Sequence, residues 1–230
     1  MRQCEIMFKL RYLFLCFVFC TGSVVLNAQN HDVRLGARVG YNAANGVFSA
    51  VSVETAHRFD CNLMVSGGVQ YNTIGRTTIE ARPAWVQDYD WGSLSTEVLL
   101  LYSNMSSLNN MAAGLGVDLR GRWIGGKFGY YYRIYGGRGG VINEPFNLYY
   151  EFCINALPMI DEWDLKFLVT NNEMFELERH YQPTFMAECN YYPLEYLGVS
   201  LGMGCKPSGI FHISADYYQS FLKLGVCYRW

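Results

Sequence analysis

The chain ends in Leu222-Lys-Leu-Gly-Val-Cys-Tyr-Arg-Trp230, and apolar side chains occupy every second position of this stretch. They form one continuous face made of Leu222, Leu224, Val226, Tyr228 and Trp230. Because the side chains of a β-strand point alternately to its two faces, this period of two predicts a strand with one apolar face. The opposite face carries Lys223 and Arg229, so it is too polar for a packed core.

The aromatic residue at the carboxy terminus extends this interpretation. An apolar stripe that finishes on Trp230 resembles the last strand of bacterial outer-membrane β-barrels, whose assembly machinery reads such an ending. The resemblance implies that the five apolar residues of this strand act as an assembly signal. It also implies two partners, outer-membrane lipid and the barrel assembly machinery.

The first 28 residues have the layout of a secretory signal peptide. A basic start with Arg2, Lys9 and Arg11 precedes nine apolar residues at 12–20, a run too short to span a bilayer as a helix. The ending Asn27-Ala28-Gln29 resembles signal peptides of Bacteroidota-type envelope proteins. We therefore expect cleavage after Ala28 or Gln29, with residues 1–28 as the signal peptide and 29–230 as one domain in the cell outer membrane.

Composition excludes several other classes of protein. The five cysteines beyond the signal are odd in number and form no C-x-x-C pair, so neither a disulfide framework nor a metal site is expected: Cys61, Cys153, Cys189, Cys205 and Cys227. Without the signal the chain keeps 15 Lys and Arg against 19 Asp and Glu, because it loses three basic residues and Glu5. Such a weakly acidic chain without basic clusters is not expected to bind nucleic acid. We expect no cofactor.

Alternating segments between turn signals predict an all-β protein, a transmembrane antiparallel up-and-down β-barrel. We place its twelve strands at 33–42, 47–58, 62–72, 77–86, 94–103, 110–119, 124–135, 146–156, 163–170, 182–191, 195–205 and 219–230. An even number leaves both termini in the periplasm, which makes the long connections 136–145, 171–181 and 206–218 extracellular, as such barrels prefer. Ten or eight strands remain alternatives.

Aromatic residues sort by position in this topology. Five tryptophans fall at the periplasmic rim: Trp85, Trp91, Trp123, Trp163 and Trp230. Tyr41, Tyr71 and Tyr102 close strands at the opposite rim. Aromatic rings collect at both membrane interfaces of outer-membrane barrels, so this sorting favours a membrane barrel over a soluble β-sandwich.

The strand parity that directs apolar residues to lipid directs charged residues inward. A charge facing hydrocarbon at the bilayer midplane costs roughly 2–4 kcal/mol, so these residues are expected to line the barrel interior (the lumen). The candidates are Arg34, Arg38, Glu54, Glu80, Arg82, Glu97, Asp118, Lys127, Arg133, Glu151, Lys166, Glu188, Lys223 and Arg229, together with Arg120 and Asp164.

Closure of the barrel would bring the cations of the first strand next to Lys223 and Arg229 of the last. Four neighbouring cations repel one another unless acids such as Glu54 and Glu188 reach them. The interior charges fit either a paired network that fills a narrow lumen or a small water-filled passage that selects solutes. A twelve-strand interior is intermediate in width, so diameter alone does not decide between the two.

The mature chain resembles small Bacteroidota-type outer-membrane β-barrel proteins, and three functions remain open. The first is a non-enzymatic barrel that is either a narrow pore or a structural or accessory component of the envelope. The second is a lipid hydrolase, because His212-Ile-Ser214 resembles the spacing in twelve-strand outer-membrane phospholipases, although Ala215 stands where the asparagine would follow. The third is a secreted β-sandwich that binds a partner. We expect no catalytic residues.

Overall fold

A computed structural model describes residues 30–42, 46–73, 75–105, 108–137, 140–160, 162–171, 183–207 and 217–229. These residues form twelve strands: β1 Asn30–Asn42, β2 Gly46–Arg58, β3 Leu63–Asn72, β4 Arg76–Tyr89, β5 Gly92–Met105, β6 Leu108–Gly121, β7 Ile124–Gly137, β8 Gly140–Asn155, β9 Trp163–Thr170, β10 Thr184–Leu194, β11 Leu197–Pro207 and β12 Tyr217–Arg229. Within the same ranges there is no helix that is long and apolar enough to cross a membrane.

Each strand pairs antiparallel with its neighbour, and β1 pairs with β12, so the sheet closes into a barrel. The closing pair, which we call the seam, has a regular register from Asp32↔Arg229 to Asn42↔Gln219. Closure leaves no free edge that could pair with another chain. The predicted twelve-strand barrel is confirmed, and the alternatives of a β-sandwich or of ten or eight strands are wrong.

The two ends of the barrel differ. The terminal end carries the start of β1, the end of β12 and short connections such as 59–62, 90–91 and 195–196. Asn62 adopts a left-handed conformation in the first of these turns, with φ of 61°, a conformation that asparagine tolerates better than most residues. At the other end, which we call the loop end, β9 ends at Thr170 and β10 begins at Thr184, while β11 ends at Pro207 and β12 begins at Tyr217.

One predicted connection is wrong. Residues 136–145 were expected to form a long glycine-rich loop, but β7 continues to Gly137 and β8 begins at Gly140. The register shifts by one residue where Tyr131 and Arg133 face Asn147 and Glu144. Such a β-bulge interrupts the alternation along the strand. The period-two pattern therefore stops near residue 146, although the hairpin continues.

The exterior of the barrel is apolar and exposed. Leu35, Val53, Phe152, Phe167 and Val199 are examples of large apolar side chains that point outward. Trp85, Trp91, Trp123 and Trp163 are exposed toward the terminal end, and Tyr41 and Tyr71 toward the loop end. An apolar outer belt between aromatic rims is the arrangement of barrels that sit in a lipid bilayer.

Candidate pore interior

The lumen contains a cavity of about 370 Å³. Nine of the predicted interior residues line it: Arg34, Arg38, Glu54, Glu80, Arg82, Lys127, Glu151, Glu188 and Lys223. Asp32, which was not among the predicted residues, also lines it. The charged lining therefore consists of five basic and five acidic side chains within the described residues.

On the seam side of the cavity, cations of β1 and β12 pair with acids of β2 and β10. Nη1 of Arg34 lies 3.2 Å from Oε1 of Glu188, and Nζ of Lys223 lies 3.5 Å from Oε1 of Glu54. Nearer the terminal end, Nε of Arg229 lies 3.1 Å from Oδ1 of Asp32. These acids offset the repulsion between cations that the seam places side by side, such as Arg38 and Lys223.

Glycine makes room for these crossings. A Cβ atom at Gly36 would lie 3.8 Å from Cε of Lys223, whose side chain extends toward Glu54 on the far side of β1. Gly202 lies between Glu188 and Lys223 in the register, and a Cβ there would meet both side chains at ordinary contact distance. A Cβ atom alone would therefore fit beside both crossing side chains, but a longer side chain at either position would compete with them for space.

The opposite wall, formed by β4 to β8, is organised around Glu97. Its Oε1 atom accepts hydrogen bonds from Nη1 of Arg82 at 3.0 Å and from the hydroxyl of Tyr149 at 3.0 Å, and its Oε2 atom accepts one from Nζ of Lys127 at 3.0 Å. Arg82 also pairs with Glu80. Charge-assisted hydrogen bonds of this kind are about twice as strong as neutral ones, so this cluster is rigid.

A second group of ion pairs lies toward the terminal end. Nη2 of Arg120 donates to Glu151 at 2.6 Å and to Asp118 at 3.1 Å. Nζ of Lys127 lies 3.4 Å from Asp118, which connects this group to the Glu97 cluster. Lys166 pairs with Asp164 on the same strand. Asp164, Lys166 and Arg229 do not line the cavity.

An apolar cluster inside the barrel was missed by sequence reasoning. Leu99, Ala112, Tyr131 and Tyr149 are buried together, with Leu101 packed against them. Leu99 and Leu101 follow Glu97 at intervals of two, so the parity that sends Glu97 inward also sends both leucines inward. The interior residues were predicted from their charge, so these two apolar residues were not among them. This cluster occupies part of the interior beside β5 to β8.

Tyr149 is held against the wall by two glycines. A Cβ atom at Gly129 would lie 2.3 Å from Cζ of Tyr149, and one at Gly116 would lie 1.9 Å from its hydroxyl oxygen. Two other interior rings lie on glycine in the same way, Tyr192 on Gly198 and Phe221 on Gly204. Each of these three rings therefore packs against a position on a neighbouring strand that has no side chain.

Toward the loop end, the interior is polar and tightly packed. Arg133 is 1% exposed; its Nε atom donates to Asn110 at 3.3 Å, and its guanidinium lies 4.4 Å from the ring centre of Tyr135. The guanidinium of Arg38 lies 3.5 Å from the ring centre of Phe221, within the range of a cation–π interaction. Arg76 and Lys206, which were not predicted as interior residues, are buried here as well.

The predicted assembly strand has its apolar face on the outside. Leu222, Leu224, Val226 and Tyr228 are each about half exposed and point outward from β12. Trp230 lies outside the described residues, as do the predicted signal peptide and the His212 and Ser214 pair of the hydrolase alternative. Among the residues that the structure describes, no group of three or more His, Cys, Asp or Glu could hold a metal ion.

No protein-family model matches the chain, and no curated protein matches it. Similar folds occur among solved structures. The translocator domain of the autotransporter NalP from Neisseria meningitidis aligns with a TM-score of 0.56 and 12% identity over 94% of this chain and 97% of that one. The KdgM porin in complex with disordered oligogalacturonate gives 0.55 and 14% over 86% and 98%. The NanC porin gives 0.53 and 11% over 86% and 98%.

At these identities the likeness concerns the fold alone. Two of these structures are porins and one is a translocator domain, and one barrel architecture commonly serves several functions. The function of this chain therefore has to be argued from its own interior.

Proposed function

We propose that the protein is a narrow, water-filled pore of the outer membrane. The observation that carries the proposal is the cavity of about 370 Å³ that charged side chains line inside a closed barrel with an apolar exterior. A lumen whose only role was structural would be better served by apolar packing, because buried ion pairs contribute little net stability. Partly hydrated charges along a cavity wall are instead what an ion or solute pathway uses.

The apolar cluster is the reason why we propose a narrow pore. Tyr131, Tyr149 and Leu99 occupy part of the interior beside β5 to β8, which leaves less of the lumen for a pathway. The equal numbers of acidic and basic residues in the lining favour weak selectivity between small anions and cations. We therefore expect a small conductance and a small reversal potential.

We further propose how the chain reaches the membrane. Residues 1–28 act as a cleaved signal peptide, and residues 29–230 form the barrel domain of a Bacteroidota-type envelope protein. The assembly machinery recognises the apolar face of β12 and the terminal aromatic residue. The even number of strands puts both termini in the periplasm.

Single-channel recording of the refolded mature chain in a planar lipid bilayer tests the pore. We expect discrete, low-conductance steps in KCl. Ser52→Trp on β2 adds a large ring at the cavity lining and should lower the conductance. Val53→Trp, its neighbour on the lipid-facing side, is the matched control and should conduct like the parent.

A folded, membrane-inserted barrel that conducts no ions would overturn the proposal. It would favour a structural or accessory role in the envelope. Heat-dependent migration on a detergent gel shows whether each preparation is folded, so the absence of current can be separated from failure to insert.

A further inference from the structure

The two walls of the cavity differ in how accessible their charges are. On the β4 to β8 wall, the charged side chains that line the cavity are 1% exposed for Glu80, 8% for Arg82, 12% for Lys127 and 16% for Glu151. On the seam wall, the side chains are 26% exposed for Arg34, 14% for Glu188 and 21% for both Lys223 and Glu54. Of these eight side chains, the three most exposed, Arg34, Lys223 and Glu54, all lie on the seam wall.

The order of these four charges around the wall is also distinctive. Glu188 on β10 comes first, then Lys223 on β12, Arg34 on β1 and Glu54 on β2, so two cations stand at the centre with one acid on each side. The separations within the two ion pairs, 3.2 and 3.5 Å, are longer than the separation of a tight charge-assisted hydrogen bond. A solute competes more easily with such loose pairs.

From this arrangement we infer that the seam wall is a binding site for small zwitterionic solutes, those that carry a carboxylate and an ammonium group. The inference rests on the proposed pore and names its solute class. The solute enters one ion pair of this wall: its carboxylate accepts hydrogen bonds from Arg34 and its ammonium group donates to Glu188, while Lys223 keeps Glu54.

The reason for preferring both charges in one solute is charge balance. An anion that takes Arg34 from Glu188 leaves this carboxylate without its cation, and a lone cation that takes Glu54 leaves Lys223 without its acid. Removing one partner from a buried pair is costly. A zwitterion replaces both partners at once, so each charge of the wall keeps an opposite charge. The cavity of about 370 Å³ is within the size range of small-molecule sites.

Binding to the refolded barrel in detergent, measured by isothermal titration, tests this inference without requiring ion flow. The probes are glycylglycine, acetate and methylammonium, which carry both charges, the carboxylate only and the ammonium only. We expect glycylglycine to bind at least about tenfold more tightly than either single-charge probe, the ratio that one charge-assisted hydrogen bond provides.

The variant Arg34→Gln with Glu188→Gln removes one pair of the wall without changing the net charge and should weaken glycylglycine binding about tenfold. The control is Lys166→Gln with Asp164→Asn, an equally neutral change at an ion pair outside the cavity lining, which should leave binding unchanged. Equal binding of acetate and glycylglycine, equal binding of methylammonium and glycylglycine, or no binding of any probe would overturn the inference.

The two proposals fail in different ways. If the barrel conducts KCl but does not bind glycylglycine, the pore proposal stands and the inference about zwitterionic solutes is overturned. If the barrel binds glycylglycine but conducts no ions, the pore proposal is overturned. The binding site then belongs to a closed barrel that acts as a receptor. In a conducting barrel, glycylglycine should also reduce the single-channel current, and the double variant at Arg34 and Glu188 should relieve that block.

Discussion

Nζ of Lys223 on β12 lies 3.5 Å from Oε1 of Glu54 on β2, so this ion pair crosses β1 at the closing seam of the barrel. Arg34 on β1 reaches Glu188 on β10 in the opposite direction. Together the two pairs link β1 and β2 at the start of the chain to β10 and β12 at its end. Four residues of the cavity lining therefore also connect strands from the two ends of the chain.

The two faces of β12 should respond differently to charge. Leu224 is 53% exposed on the outer face, so Leu224→Arg places a cation in hydrocarbon at a cost of roughly 2–4 kcal/mol at the midplane. We expect this variant to insert poorly, as measured by the folded band on an unboiled detergent gel. Lys223→Gln changes the inner face and should assemble normally; equal yields of both variants would contradict the assigned parity.

Glu97 should be the most sensitive interior position to truncation. Glu97→Ala leaves Arg82 and Lys127 without one of their acids, and breaking a buried pair in this way costs roughly 3–5 kcal/mol. Tyr149→Phe removes one hydrogen bond to the same carboxylate and should cost roughly 1.5–3 kcal/mol. Guanidinium unfolding in detergent measures both changes. A smaller loss for Glu97→Ala than for Tyr149→Phe would show that the cluster is not organised around this acid.

A methyl group at Gly129 should destabilise the barrel. Its Cβ atom would lie 2.3 Å from Cζ of Tyr149 and 2.5 Å from the carbonyl oxygen of Leu115, so both the ring and the backbone would have to shift, and overpacking of this kind costs about 1–3 kcal/mol. Gly202→Ala is the control, because its nearest neighbour would be at 3.5 Å. The difference between the unfolding midpoints of the two variants measures the effect, and identical midpoints would count against the position of the Tyr149 ring.

The carboxy-terminal residue and the hydrolase alternative can be tested with the same set of variants. Deletion of Trp230 should lower the amount of barrel in the outer membrane, because the terminal aromatic belongs to the proposed assembly signal. His212→Ala and Ser214→Ala should leave both the surface level and the pore conductance intact. If the purified barrel hydrolyses phospholipid and Ser214→Ala abolishes the turnover, the hydrolase becomes the better explanation.

The alternation of side chains determined the class of fold without any tertiary information. Whether a residue such as Leu224 or Lys223 faces lipid or the interior depends on its parity within a strand, and parity is a local property of the chain. The number of strands could be predicted for the same reason. The prediction was wrong beyond the bulge near Tyr131 and Arg133, where β7 and β8 continue into residues that were expected to form a loop.

The tertiary structure alone decided which charges meet and how much of the lumen is filled. Arg34 and Glu188 are 154 positions apart in the chain, and their contact depends on the register of every strand between them and the seam. Leu99 and Leu101 share the inward parity of Glu97, but only the neighbouring strands place Tyr131 and Tyr149 beside them. Strand orientation follows from short-range chain geometry, whereas the partners inside a barrel follow from closure, which brings distant strands together around one interior.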